Sequence, residues 1–236
     1  MIRIFQRHCN FSTQSANKPR PDWFDREKIF DNFMLTLLDD KYKDKITYTA
    51  FHDSGNGSIE DHFLNNKDVE KISIYGGNDA QSFLNLLNYV REQKYSDNDI
   101  IYFVEDDYLH RYGWVDVLQE GFDMIGADYY TLYDHPDKYY LPMYENLQSK
   151  VIATENIHWR TTPSTTNTYA CKYGTLIKHF DIHVKHCDLV EKWTKDHVKF
   201  TELWEKGSNL MSCIPGYSTH VEGNMLSPTV DWEHKG

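Results

Sequence analysis

Ile100-Ile101-Tyr102-Phe103-Val104 runs straight into Glu105-Asp106-Asp107. Five apolar residues without alternation, preceded by the turn-like Ser96-Asp97-Asn98-Asp99, read as a strand buried on both faces. Three acids then follow where the strand leaves its sheet. Two carboxylates about 5 Å apart at an effective dielectric near 20 repel by roughly 3 kcal/mol. A cation or a shared proton relieves that repulsion. Open α/β sheets also bind ligands outside the carboxyl ends of their strands. The triplet is therefore a candidate divalent-metal site; a solvated acidic helix N-terminus is the plain alternative.

Outward from this strand, the first half of the chain repeats strand, polar exit and helix. Strands are expected at Ile2–Phe5, Ile46–Phe51 and Lys71–Tyr75, and helices at Asp25–Leu38 and after Gly76-Gly77-Asn78. A helix over Trp114–Ile125 and a strand over Asp128–Tyr133 follow. This is the pattern of a mostly parallel sheet flanked by helices. The second half is mixed. Asp134–Tyr144 reads as a loop or hairpin, Lys150–Arg160 and Thr165–Tyr173 as strands, His179–His186 and Asp188–Glu205 as helices, and Ser212–Pro215 as a short strand. The polar stretch from Asn10 to Trp23, with Lys18-Pro19-Arg20-Pro21, is a long loop: a basic arm for pyrophosphate, or only a segment its prolines keep extended.

At 236 residues, 40% of them hydrophobic, the chain can bury a sizeable core. A net charge of −11 argues against nucleic acid and anionic membrane as partners. Four scattered cysteines without a CxxC pair are expected as reduced thiols. No apolar run approaches the ~18 residues of a transmembrane segment, and no signal peptide is visible, so a cytoplasmic location is expected. The 17 tyrosines and 6 tryptophans suit sugar or base stacking as well as core building.

Neither GxxxxGK[ST] nor GxGxxG occurs, so P-loop and dinucleotide chemistry lack support. Instead, polar residues stand at each strand exit: Gln6 to Asn10, including Arg7 and His8; His52-Asp53; Gly76-Gly77-Asn78; and Glu105-Asp106-Asp107. On one sheet edge they would line a shared crevice. Asp53 suits hydrogen bonds from a nucleobase or an Asx turn with Ser54-Gly55. Near the C-terminus, His220-Val221-Glu222-Gly223-Asn224-Met225-Leu226-Ser227 places an imidazole, a ligand for borderline metals, in a constrained loop. A competing site is His179-x-x-x-His183 with Cys187, whose helical spacing can hold Zn²⁺. Trp159-Arg160 and the hydroxyl-rich Thr161–Thr168 suit sugar hydrogen bonding, or a solvent-facing strand.

Val104-Glu105-Asp106-Asp107 and the His220 loop together resemble glycosyltransferases of the GT-A fold, in particular small bacterial and viral members. The first is similar to that family's metal motif. The second is similar to its His-x-x-Gly-x-x-Ser loop, with one extra residue here. The resemblance implies a single GT-A-like domain over residues 1–236, with a nucleotide-sugar half at 1–110 and an acceptor half at 111–236. It implies Mn²⁺ or Mg²⁺ on Asp107 and His220, with Glu105 or Asp106 toward the sugar-ribose side or metal waters. Asp53 would meet the base, and Arg7, His8 and Gly77 would face the nucleotide. The implied donor is a nucleotide-diphosphate sugar, a UDP-sugar foremost, and the implied acceptor a hydroxyl of a glycan or glycoconjugate. An inverting transfer needs a base; similar enzymes place an acid at a helix start in the second half, which nominates Asp196, then Asp188, and both read equally well as exposed helix acids. The rival functions are a metal-dependent phosphoester hydrolase and a noncatalytic carbohydrate-binding protein.

Overall fold

Ile100, Tyr102 and Val104 point to one face of their strand, and Ile101 and Phe103 to the other; all five are buried. The computed structural model that shows this describes residues 1–12 and 15–234, with the side chain of Asp40 also left undescribed. The expected loop from Asn10 to Trp23 is present, apart from positions 13 and 14, which lie outside the described residues.

Strands β1 (Ile2–Cys9), β2 (Ile46–Asp53), β3 (Glu70–Ile74) and β4 (Ile100–Glu105) are parallel, in the order β3-β2-β1-β4. Helices α1 (Arg26–Leu35) and α3 (Trp114–Met124) cover one face, where Phe33, Trp114 and Leu118 meet Tyr102 and Val104. Helix α2 (Asp79–Glu92) covers the other, packing Phe83, Leu86 and Leu87 with Phe5 and Phe103. Each such side chain contributes about 1.5–3 kcal/mol by leaving water. Asp25 caps α1 by accepting from the amide of Lys28 at 3.1 Å, and Asn78 caps α2 by accepting from Gln81 at 3.0 Å.

The sheet continues through the second half. Strand β5 (Tyr108–His110) leaves it, but β6 (Tyr129–Thr131), β7 (Val151–Ala153), β8 (His158–Thr161), β9 (Tyr169–Lys172) and β12 (Leu210–Ile214) complete nine strands, β3-β2-β1-β4-β9-β6-β12-β8-β7. β9 runs antiparallel to β4 and β6, and β8 antiparallel to β12, giving the mixed second half. Three segments differ from expectation. Asp134–Tyr144, read as a loop or hairpin, holds the short helix α4 (Asp137–Tyr140) and a helical turn over Pro142–Tyr144. Lys150–Arg160 is not one strand but the hairpin β7–β8. Asp188–Glu205 is not one helix. It begins as a small hairpin of β10 (Cys187–Asp188) and β11 (Trp193–Thr194), and only α7 (Asp196–Glu205) is helical. The Asp188 carboxylate accepts from the amides of Val190 and Glu191, both at 2.9 Å, and Lys192 takes a left-handed φ of 64°, which together turn the chain.

Helices α4 (Asp137–Tyr140), α5 (Tyr173–Lys178) and α6 (Phe180–Lys185) are short. Among the described residues no helix is long and apolar enough to cross a membrane. The four cysteines are free thiols.

Candidate active site

The carboxyl ends of β1, β2 and β4 open onto one cleft of about 540 Å³. Arg7, His8, Asp53, Gly77, Glu105, Asp106, Asp107, Asp196 and His220 all line it, so the strand exits do share a crevice, and residues of the second half, Asp196 and His220 among them, close it.

His220 reaches the acids through a ladder too short to signal itself in sequence. Strand β13 (Ser218–His220) pairs antiparallel with β5, which sets His220 opposite Tyr108. Its Nε2 lies 3.0 Å from Asp107 Oδ2 and 3.5 Å from Glu222 Oε2. Burial alone would raise the Asp107 carboxyl, but His220 and Arg20 overcome it and hold it far below the usual carboxylate range.

Each acid of the triplet meets an arginine. Arg7 Nη2 bridges Glu105 at 2.7 Å and Asp79 at 2.8 Å; Arg26 Nε stands 3.3 Å from Asp106; Arg20 Nη2 is 2.7 Å from Asp107. Burial pushes Glu105 up to about 7 against the pull of Arg7, and Asp106 up to about 6 against that of Arg26; Asp107 adds to both shifts. Asp79, at the first position of α2, was not among the expected residues. It holds the second half to the first by accepting from the Thr194 amide at 2.8 Å and its hydroxyl at 2.7 Å. Extending the strand-exit rule one residue past Asn78 would have found it. Glu222 and Arg26 carry no comparable signal.

Asp53 forms the Asx turn. Its Oδ1 accepts from the amides of Gly55 (2.9 Å), Gly76 (2.9 Å) and Gly77 (3.0 Å), pinning the β2 exit to the β3–α2 loop. Gly77 adopts a φ of 69°, which suits a residue without Cβ. His8 accepts or donates to Tyr48 Oη at 3.3 Å and packs near His62; burial holds it neutral, well below the ordinary histidine range.

Asp196 starts α7 on the far wall, 3.1 Å from the buried Lys199 ammonium, which also donates to Asn167 at 2.8 Å. Burial raises the Asp196 carboxyl although Lys199 opposes it. Asp188 is instead used in the β10–β11 turn and pairs with Lys195 at 2.6 Å. Of the hydroxyl-rich segment, Thr166 and Asn167 line the cleft, whereas Trp159 is fully buried and Arg160 pairs with Asp134 at 2.7 Å.

Asp107 and His220 bring an oxygen and a nitrogen donor together, a set that suits Mn²⁺ and, through the oxygen, Mg²⁺. Beside them Asp106 Oδ2 is buried and makes no well-aligned hydrogen bond, but the Arg26 guanidinium already stands 3.3 Å from it. Among the described residues no group of three or more His, Cys, Asp or Glu side chains is arranged to hold a metal. A divalent ion at Asp107 and His220 would need phosphate oxygens or water for its remaining ligands. The zinc alternative meets a different fate. The chain breaks between α5 and α6 at His179, and His183 spends Nε2 on Tyr129 (3.1 Å) and Nδ1 on Tyr169 (3.0 Å). Cys187 donates to the His183 carbonyl at 3.4 Å. These histidines are core packing.

No protein-family model matches this sequence, and no curated protein matches it. Solved structures do. The glycosyltransferase TarS of S. aureus, in a structure of its residues 1–349, superposes with a TM-score of 0.53 at 11% identity, over 92% of this chain and 59% of that one. A longer TarS structure gives 0.52 at 14% identity, over 92% and 36%. A Francisella tularensis 2-C-methyl-D-erythritol 4-phosphate cytidylyltransferase aligns over 98% of this chain and 95% of that one, with a TM-score of 0.48 at 16% identity. The chain spans less than two thirds of the TarS chains it matches. At such identities the likeness to TarS shows the fold alone. The fold is GT-A-like.

Proposed function

We propose that the protein is a metal-dependent glycosyltransferase that moves a sugar from a nucleotide-diphosphate donor to an acceptor hydroxyl. The observation that carries this is the approach of His220 to within 3.0 Å of Asp107 at the exit of β4, in a cleft that also holds Arg7, Asp53 and Gly77 on one side and Asp196 on the other. Residues 1–110 would form the donor half and 111–236 the acceptor half, with a UDP-sugar the first donor to test.

A divalent ion on Asp107 and His220 would neutralise the diphosphate as it leaves. The chain's own groups do the rest. Asp53 fixes the Gly76-Gly77 backbone, so that the donor meets a preformed wall. Arg7 keeps Glu105 and Asp79 in place and ties the two halves together through Thr194. Asp196 takes the acceptor proton as the acceptor oxygen forms its bond to the anomeric carbon and the anomeric carbon–phosphate oxygen bond breaks, a single displacement with inversion. The upward shift that burial imposes on Asp196 makes its carboxylate a better base than an exposed aspartate.

The test is a panel of UDP-, GDP- and dTDP-sugars, read first as Mn²⁺-dependent thermal stabilisation and then as slow sugar release. Stabilisation by one nucleotide class only with Mn²⁺ supports the reading. Turnover of simple phosphoesters without nucleotide-sugar preference would replace it with a hydrolase, and sugar binding indifferent to EDTA with a carbohydrate-binding protein.

A further inference from the structure

Two of the three arginines on the acid triplet stand on regular elements, Arg7 on β1 and Arg26 at the start of α1. Arg20 does not: it comes from the loop between β1 and α1. Its Nη2 donates to Asp107 Oδ2 at 2.7 Å and to Ser15 Oγ at 2.8 Å, Nη1 donates to the Val221 carbonyl, and the guanidinium lies 4.4 Å from the centre of the Phe24 ring. Around it the same segment is stitched to the loop after β13. Lys18 pairs with Glu222 at 2.9 Å, and the Gly223 amide donates to the Pro19 carbonyl at 2.8 Å. Residues 15–20 therefore form a strap across the two elements that carry Asp107 and His220.

The oxygen that Arg20 holds is the oxygen that faces His220. A divalent ion coordinates carboxylate oxygen at about 2.0–2.6 Å, and a guanidinium bonded to that same atom would crowd it with like charge. We propose that Arg20 fills the cation's place at Asp107, and that a divalent ion binds only when the strap of residues 15–20 releases that carboxylate. This rests on the assignment of Asp107 as a metal ligand. Free Mn²⁺ therefore meets a protein whose binding-competent state is only a fraction of the whole, and its apparent affinity falls by that fraction.

Mn²⁺ binding followed by the electron paramagnetic resonance signal of the free ion tests this on the wild type, Arg20→Gln, Arg20→Lys and Asp107→Asn. If the paired state outweighs the released one by about tenfold, Arg20→Gln binds Mn²⁺ about tenfold more tightly, Arg20→Lys falls between, and Asp107→Asn loses binding. In the unmodified protein, Mn²⁺ speeds hydrogen exchange at the Gly223 amide, a readout that needs no variant to fold. Equal Mn²⁺ affinity in wild type and Arg20→Gln, or slower exchange at Gly223, overturns the role of Arg20 and leaves Asp107 as a ligand. Absence of Mn²⁺ binding in both removes the metal from Asp107 and this inference with it.

Discussion

His220 sits across the β5–β13 ladder from Tyr108, its ring stacked on the tyrosine at 5.0 Å with the planes 5° apart. The stack fixes the imidazole so that Nε2 meets Asp107, the residue just before Tyr108. A histidine–aspartate pair is thus built from positions 113 apart by one three-residue register.

Asp107→Asn keeps the shape of that pair and removes its charge. Mn²⁺-dependent stabilisation by a nucleotide sugar should vanish, and turnover should fall by roughly 10²–10³, the scale of losing one preorganised electrostatic contact. Thermal shift with and without EDTA, followed by a steady-state assay, checks both. Donor binding that stays Mn²⁺-dependent in this variant would place the metal elsewhere.

Asp196→Asn should leave donor stabilisation intact and reduce kcat by roughly 10²–10⁴, the range for a lost general base. The sign of the pH dependence follows from the upward shift. The base works when deprotonated, so the rate falls as pH drops through its pKa, and burial places that limb above the ordinary aspartate value of about 4. The variant's residual activity should lack the limb. An unchanged pH–rate profile in Asp196→Asn would assign the base to another group.

The run Ile100–Val104 and the acids after it were legible because a strand buried on both faces shows no alternation, and because strand exits in such sheets face ligands. Arg7, His8, Asp53 and Gly77 follow from the same rule and do line the cleft. The β5–β13 pairing was not legible: three residues are too few to display a period, and the partner strand is more than 100 positions away. Nor was the pairing of Arg20 with Asp107, 87 positions distant. Asp188–Glu205 misled because an Asx turn and one left-handed residue, Lys192, interrupt a stretch whose apolar spacing alone reads as helix. At His179 and His183 the spacing was real, but Tyr129 and Tyr169, from distant strands, use the ring nitrogens.

His8, which lines the cleft, packs with His52 and His62 as a buried group, with ring centres 5.9 Å apart for His8–His62 and 5.0 Å for His52–His62. Burial lowers all three; His8 falls well below the ordinary range and His62 to about 4. The unfolded chain takes up protons below its histidine value of about 6.5 while the folded one does not. The stability these histidines contribute is therefore full above about 6.5 and is lost as pH falls from there toward 4. A histidine that stays neutral throughout that window, as His62 does nearly to its end, costs about 1.4 kcal/mol per pH unit. His62→Asn, which keeps a side-chain acceptor near the Leu64 amide that His62 Nδ1 now caps at 3.2 Å, should flatten the fall of Tm between pH 6.5 and 4. A variant with the wild-type slope would mean that His62 is not one of the responsible groups.

Gly55→Ala tests whether the Asp53 turn serves the donor or only the fold. A Cβ at position 55 would overlap the backbone N and Cα of Gly77 and stand 3.0 Å from Asp53 Oδ1. Both obstacles belong to a pinned loop, so the β2 exit and the Gly76-Gly77 segment must separate. Overpacking of that kind costs about 1–3 kcal/mol, visible as a lower Tm. Because Asp107 and His220 are held by β4, β5 and β13 and not by this loop, Mn²⁺ binding should survive while nucleotide-sugar binding weakens. Calorimetric titration of the ion and of the donor separately distinguishes the two effects, and donor affinity equal to wild type would show that the cleft wall beneath Asp53 does not touch the nucleotide.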